Sequence, residues 1–312
     1  MSSAAVALAG VAECDLGRTG RSVLELQVQA VTRALADAGL ALADVDGLAT
    51  NAVGRFATTE LADQLRIRPG WAESSFVGGS AFESYVARAA QAVAAGQASV
   101  VVVSFASNQR SARSRSLAGV VEDHLPAAQF ETPYAPLYPL SYYAMAAQAY
   151  LHRYGLTREH LAHVAVSARD WALRNPVAFR YGAGPLTVAD VLGADMISSP
   201  LTTADCCLVT DGGGAVVVTS LERARDLPKA PVVVLGYGET TDHTNMSTRE
   251  DILDVGAATA GAAAFGRAGL TPADVDVAQV YDSFTITPLL SLEALGLAGP
   301  GQAGVLAAAG EF

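Results

Sequence analysis

A chain of 312 residues that is 51% hydrophobic and 16% charged can bury a large core, which excludes a disordered polypeptide. Its formal charge of −11 excludes a nucleic-acid footprint, because phosphate contacts need clustered Lys and Arg. Cys14, Cys206 and Cys207 form neither a disulfide framework nor a metal-ligand spacing.

Residues 1–10 carry no basic segment and only a short apolar stretch, so neither a secretion signal nor a membrane anchor is expected. The apolar run at 98–103 is of strand length, far short of the roughly 20 residues of a membrane helix. The expectation is a cytoplasmic protein. Val6 to Ala12 reads as a strand, and Ser22 to Ala38 as a helix, with Leu24, Val28, Val31 and Leu35 on one face. A strand at Val45 to Thr50, a helix from Thr58, an Ala-rich helix from Ala81 to Ala95 and a strand at Ser99 to Phe105 follow. Strands alternating with helices predict a layered α/β fold.

Beyond residue 107 comes a long insertion, to about residue 200, with the arginine-rich stretch 109–115, an aromatic stretch from Tyr134 to Tyr143 and two helices. Such insertions usually shape binding sites, and the aromatic stretch suits either a bulky apolar substrate or a partner surface. Thr157 is the expected N-cap of a helix running to about Trp171, with His160 and His163 as exposed helix residues. Cys206 and Cys207 sit in an apolar stretch and read as inert buried thiols. Asp211-Gly212-Gly213-Gly214 predicts a tight turn with close backbone approach before a strand at Ala215 to Thr219; no Lys follows, so a phosphate loop is disfavoured.

The most informative pattern is internal. Residues 38–46, AGLALADVD, recur 230 residues later as AGLTPADVD at 268–276, identical at seven of nine positions. Each copy places a helix-ending Gly before a capped turn, which predicts a duplicated α/β half.

Several segments carry a resemblance to the thiolase superfamily, in its lipid-transfer or sterol-carrier-type branch. They are Gly20-Arg21-Ser22-Val23-Leu24-Glu25-Leu26, Gly78-Gly79-Ser80, Ser199-Pro200-Leu201, Asp211-Gly212-Gly213-Gly214-Ala215-Val216, Tyr281-Asp282-Ser283-Phe284-Thr285 and Leu292-Glu293-Ala294-Leu295-Gly296. The resemblance implies a duplicated five-layer αβαβα thiolase fold, divided as 1–225 (with the insertion at about 107–200) and 226–312. It also implies that the family's C-terminal Gly-rich and His-Pro segments are missing, leaving the second half incomplete and prone to association.

The family's nucleophilic cysteine stands at the start of the buried central helix, where free N–H groups and the helix dipole lower its pKa. Here that place holds Gly78-Gly79-Ser80. Ser80 reads as an N-cap, while the N–H groups at Gly79 and Ser80 could hold a thioester oxygen or enolate. Tyr281-Asp282-Ser283 occupies the family's water-orienting motif. Tyr281 is a candidate proton donor or acceptor, Asp282 a candidate orienting group, and Ser283, Tyr237 and His243 are further candidates. Among cysteine-free relatives the chain is similar to bacterial steroid side-chain aldolases. That implies retro-aldol cleavage of a β-hydroxyacyl-CoA with no metal, flavin or nicotinamide, and a small OB-fold partner subunit. A homodimer through an edge strand near Ser99 to Phe105 is also implied. A thiolase-type acyltransferase and a non-catalytic lipid or acyl-CoA carrier are the alternatives.

Overall fold

The computed structural model describes residues 5–51, 54–113, 124–243 and 245–312, so most of the arginine-rich 109–115 stretch is described but Ser114 and Arg115 lie outside it. The chain forms two compact units, Met1–Arg115 with Val209–Tyr237 and Ser116–Leu208 with Gly238–Phe312. From residue 116 on, the segment read as an insertion thus groups with the C-terminal segment.

The first unit is built on six strands: β1 (Val6–Glu13), β2 (Gly47–Ala49), β3 (Trp71–Glu73), β4 (Val100–Ser107), β5 (Gly212–Ser220) and β6 (Val232–Val233). Their spatial order is β3-β2-β4-β5-β1-β6. β2 runs parallel to β3 and β4, whereas β5 is antiparallel to both β4 and β1. Helices α1 (Val23–Ala38) and α2 (Ala57–Leu65) cover one face and α3 (Ala81–Ala94) the other. In β4, Val100 and Val102 pack toward α1 while Val101 and Val103 pack toward α3. A strand buried on both faces needs this unbroken apolar run. It also corrects the expectation that residues 99–105 form an edge: β4 is paired on both sides, and the edges are β3 and β6.

The three glycines after Asp211 do not make the predicted turn. They open β5, in register with Ser107, Ala106 and Phe105 of β4. A Cβ on Gly213 would stand 2.3 Å from the Phe105 carbonyl oxygen, so the expected close backbone approach is real but lies within the ladder. Asp211 itself is fully buried, accepting hydrogen bonds from the Thr19 N–H (2.8 Å), the Thr19 hydroxyl (2.9 Å), the Ser111 N–H (2.9 Å) and the Ser111 hydroxyl. It pins the loop before α1 to the segment after β4.

In the second unit, α4 (Leu140–Tyr154) and α5 (Arg158–Arg174) pack with α7 (Ile286–Ala294) and α8 (Ala303–Ala309), while α6 (Ala257–Ala268) lies against α7. Tyr150, Leu161, Leu201, Phe284, Ile286 and Leu289 share one core, in which each large apolar side chain contributes about 1.5–3 kcal/mol. Thr157 does stand at the N-cap of α5, but its helix start is closed by His160, whose Nδ1 accepts the Thr157 N–H at 3.2 Å. His160 and His163 are half-buried rather than exposed.

The repeated nonapeptide keeps its local geometry in both units. α1 ends on Gly39 at φ 71° and α6 on Gly269 at φ 69°, left-handed conformations that glycine adopts without strain. Each is followed by a short 3-10 turn capped by an aspartate: the Ala41 N–H donates to Asp44 Oδ2 (2.9 Å) and the Thr271 N–H to Asp274 Oδ2 (2.8 Å). After the first copy comes β2; after the second, no strand is assigned in the described residues.

Candidate active site

In the second unit the Tyr281–Thr285 segment is fastened to the hairpin around Thr202. Asp205 is buried and its Oδ2 accepts the Thr202 N–H (2.8 Å) and hydroxyl (2.7 Å), while its Oδ1 accepts the Thr285 hydroxyl (2.8 Å). Backbone bonds continue the seam: the Cys207 N–H donates to Ser283 O (3.0 Å) and the Thr285 N–H to Asp205 O (3.0 Å). Ser283 is thereby buried, with its hydroxyl 2.9 Å from that of Thr287. Tyr281, 68% exposed, and the exposed Asp282 face outward from this fixed seam.

Asp282 and Thr285 border a cavity of about 370 Å³ whose walls include Arg169, Phe179, Arg180, Cys206 and Cys207. The two thiols are half-buried and line this cavity, which corrects the reading of them as buried packing residues. Cys206 Sγ donates to Thr202 O at 3.3 Å. Extended backbone at Cys206, with φ −104° and ψ 145°, directs neighbouring side chains apart.

His243 lines a separate cavity of about 230 Å³, bounded by Tyr138, Tyr142, Tyr143, Met246, Val255 and Leu290 among others. Its Nδ1 rests on the Asp242 carboxylate, and Arg249 Nη2 lies 3.5 Å from the same carboxylate. A carboxylate at Nδ1 favours the tautomer protonated there, leaving the Nε2 lone pair as an acceptor. The Tyr142 hydroxyl donates to Glu131 Oε2 at 2.5 Å, and the Ser247 N–H donates to Glu131 Oε1 at 2.7 Å. Burial alone would raise the Glu131 pKa, yet the Ser247 and Tyr142 donors outweigh it and hold the carboxyl below its usual range. Burial, and then the adjacent carboxylate, push the Tyr142 phenol well above its ordinary value, so it stays neutral.

Of the residues expected in the first unit, Gly79 and Ser80 are exposed at the start of α3, with Gly78 at φ 103°. Ser80 holds the N-cap position but its side chain makes no capping bond. At this start the Ala81 N–H donates to Gly78 O (3.2 Å) and the Glu83 N–H to Ser80 O (3.1 Å), so these two of the first N–H groups are engaged by local carbonyls. Tyr237 is half-buried, and its hydroxyl accepts a 2.7 Å bond from Gln91 Nε2. Gln91 lies eleven residues beyond Ser80, about 16 Å along the helix at 1.5 Å per residue, so Tyr237 does not join Gly79 and Ser80.

Sequence reasoning did not find Asp205 or Glu131, and it reached Tyr142 only as part of the aromatic stretch from Tyr134 to Tyr143. Thr202-Thr203-Ala204-Asp205 carries the local signature of a capping box, but its second oxygen reaches Thr285 across 80 residues. Among the described residues no helix is long and apolar enough to cross a membrane.

Comparison with known proteins places this geometry in context. Residues 238–312 match the family described as Thiolase C-terminal domain-like. The chain is 38% identical to the 17-hydroxy-3-oxo-4-pregnene-20-carboxyl-CoA lyase of Mycobacterium tuberculosis in an alignment of 324 positions, gaps included, that covers 97% of this chain and 81% of the lyase. The solved structure of an Ltp2-ChsH2(DUF35) aldolase superposes with a TM-score of 0.88 at 36% identity, covering 98% of this chain and 80% of that one. Human mitochondrial 3-ketoacyl-CoA thiolase shares the fold, with a TM-score of 0.68 at 17% identity over 98% of this chain and 93% of the thiolase.

Proposed function

Since the chain belongs to the thiolase superfamily, in its sterol-carrier and lipid-transfer-like branch, we propose that it is a carbon–carbon lyase cleaving a β-hydroxyacyl-CoA by a retro-aldol reaction. The observation that carries this reading is a near-full-length kinship with a CoA-ester lyase, combined with a central-helix start, Gly78-Gly79-Ser80, that holds no cysteine. In the reaction a base takes the β-hydroxyl proton and the Cα–Cβ bond breaks. The electron pair passes onto the thioester as an enolate, and an acid returns a proton to Cα. The products are a carbonyl compound and a shortened acyl-CoA; no acyl-enzyme forms and no free CoA is consumed.

In this reading the exposed Tyr281 handles the hydroxyl proton and Asp282 orients it, while the buried Ser283 keeps their backbone in place. His243 binds substrate through Nε2. The anion-holding role of Gly79 and Ser80 and a role for Tyr237 rest on the sequence resemblance. A duplicated fold belongs to the same reading and is supported by the cap shared between Gly39 and Gly269. So do a homodimer and a second, OB-fold subunit; the name Ltp2-ChsH2(DUF35) aldolase supports a DUF35-type partner.

One observation favours a second reading, acyl transfer: Cys206 and Cys207 supply thiols in the cavity bordered by Asp282. The two readings differ in stoichiometry. Chromatography of the chain with its partner and a β-hydroxyacyl-CoA, with no free CoA added, should yield the carbonyl product and the shortened acyl-CoA in equal amounts. Cleavage confined to a β-ketoacyl-CoA, and dependent on added CoA, would instead establish a thiolase. Turnover of neither would leave a carrier.

A further inference from the structure

A retro-aldol cleavage needs two proton transfers at different atoms, one at the β-hydroxyl and one at Cα. Tyr281 and Asp282 serve the first, and the second still lacks a group. The 230 Å³ cavity supplies a candidate. Much of its wall is apolar, from Tyr143, Ala146, Ile252, Val255 and Leu290, but one short stretch of chain adds His243, Asn245 and Arg249. Polar groups gathered on a largely apolar enclosure are where a ligand is oriented and reacts.

That stretch is held at several points. The Asp242 carboxylate meets His243 Nδ1, and Arg249 Nη2 lies 3.5 Å from the other oxygen of the same carboxylate. The Arg249 side chain is only 18% exposed and also donates to Asp254 O. The Ser247 N–H donates to Glu131 Oε1 at 2.7 Å, and the buried Glu131 is tied in turn to α4 through the Tyr142 hydroxyl. Anchored at Asp242, Ser247 and Arg249, the chain around His243 has the support that a proton-transfer group needs. With Nδ1 on the carboxylate, Nε2 is the nitrogen left for a ligand. Tyr142 does not compete for this role, because its proton is committed to Glu131. The cavity also adjoins the Tyr281–Thr285 segment: Tyr143 in its wall packs on Phe284 with ring centroids 4.5 Å apart, while Asp282 and Thr285 border the larger cavity.

We propose that His243, oriented by Asp242, is the acid that returns the proton to Cα. In cleavage the Nε2–H bond of the imidazolium breaks and its electrons stay on nitrogen. The enolate pair forms the new Cα–H bond and the thioester carbonyl is restored. His243 is left neutral, with its remaining proton on Nδ1 toward Asp242. Water returns a proton to His243 and removes the one taken by Tyr281, so each turnover closes without an oxidant or reductant. The assignment rests on the lyase reading for its place in the reaction.

By microscopic reversibility, neutral His243 removes a Cα proton from an acyl-CoA, a step that can be followed without breaking a carbon–carbon bond. The chain assembled with the proposed DUF35-type subunit should exchange the Cα hydrogens of acetyl-CoA and butyryl-CoA for deuterium in D2O, read by mass spectrometry. His243→Gln should slow the exchange about a hundredfold or more, and Asp242→Asn, which keeps the imidazole but not its orienting carboxylate, about tenfold. On a β-hydroxyacyl-CoA, His243→Gln should lower kcat with KM changed by less than about threefold. Exchange that survives in His243→Gln overturns the assignment, as does a wild type that exchanges nothing, or a loss that follows Tyr138→Phe or Tyr281→Phe instead. Should His243→Gln not fold, Asp242→Asn decides: a tenfold loss supports the role and an unchanged rate refutes it. The two readings fail separately. His243-dependent exchange without carbon–carbon cleavage ends the lyase reading and keeps His243 at Cα, whereas cleavage with exchange indifferent to His243 keeps the lyase and ends this assignment.

Discussion

Tyr281 is exposed while Ser283, two residues on, is buried and bonded to Thr287, so one short segment is both anchored and presented. A proton-transfer role for Tyr281 predicts that Tyr281→Phe lowers kcat roughly a hundredfold or more with little change in KM, the size expected for loss of a general acid or base. An equal loss shared with KM would make Tyr281 a binding residue. Asp211 gives a second residue-scale expectation. Burial alone would raise its pKa, but the Ser111 and Thr19 donors outweigh it and hold the carboxyl far below the usual range. The unfolded chain therefore binds the proton first, so the stability Asp211 supplies is fully present above about pH 4 and drains away as pH falls below it. The urea midpoint of the wild type should fall more steeply below that pH than that of Asp211→Asn; parallel profiles would refute the assignment. At this scale the sequence displayed Tyr281 and Asp282 because they are contiguous with a motif. It hid Glu131, whose partners Tyr142 and Ser247 lie 11 and 116 residues away and become neighbours only in the folded chain.

Secondary-structure elements were legible where one physical rule dominated. The apolar spacing from Leu24 to Leu35 and the Gly39 stop define α1, and Ala81–Ala94 follows its helical propensity. Position within the sheet was not legible from propensity, although the unbroken Val100 to Val103 run signals burial on both faces and so argues against an edge. The glycine run was misread because Gly favours turns, whereas β5 needs it for lack of a side chain. This assigns a cost: Gly213→Val forces a Cβ against the Phe105 carbonyl and should destabilise the first unit by about 1–3 kcal/mol. A denaturant midpoint equal to wild type would show that β4 and β5 can part without penalty.

For the whole molecule, the family was legible because several short motifs agreed in order along the chain, while the cavities were not, because each gathers its walls from segments far apart in sequence. Cys206 and Cys207 show the consequence. Their apolar neighbours suggested packing, yet they line the cavity bordered by Asp282. A bulky alkylating reagent would therefore block that cavity whatever the chemistry, and serine replacement is the cleaner probe. The direct measurement is turnover of a β-hydroxyacyl-CoA by the Cys14→Ser, Cys206→Ser, Cys207→Ser triple variant, assembled with the proposed DUF35-type subunit and free of added CoA. A cysteine-independent lyase predicts kcat within about fivefold of wild type and equal yields of carbonyl product and shortened acyl-CoA. Abolition of turnover in a variant that remains folded by thermal melting would contradict it and put a thiol at the centre of the reaction.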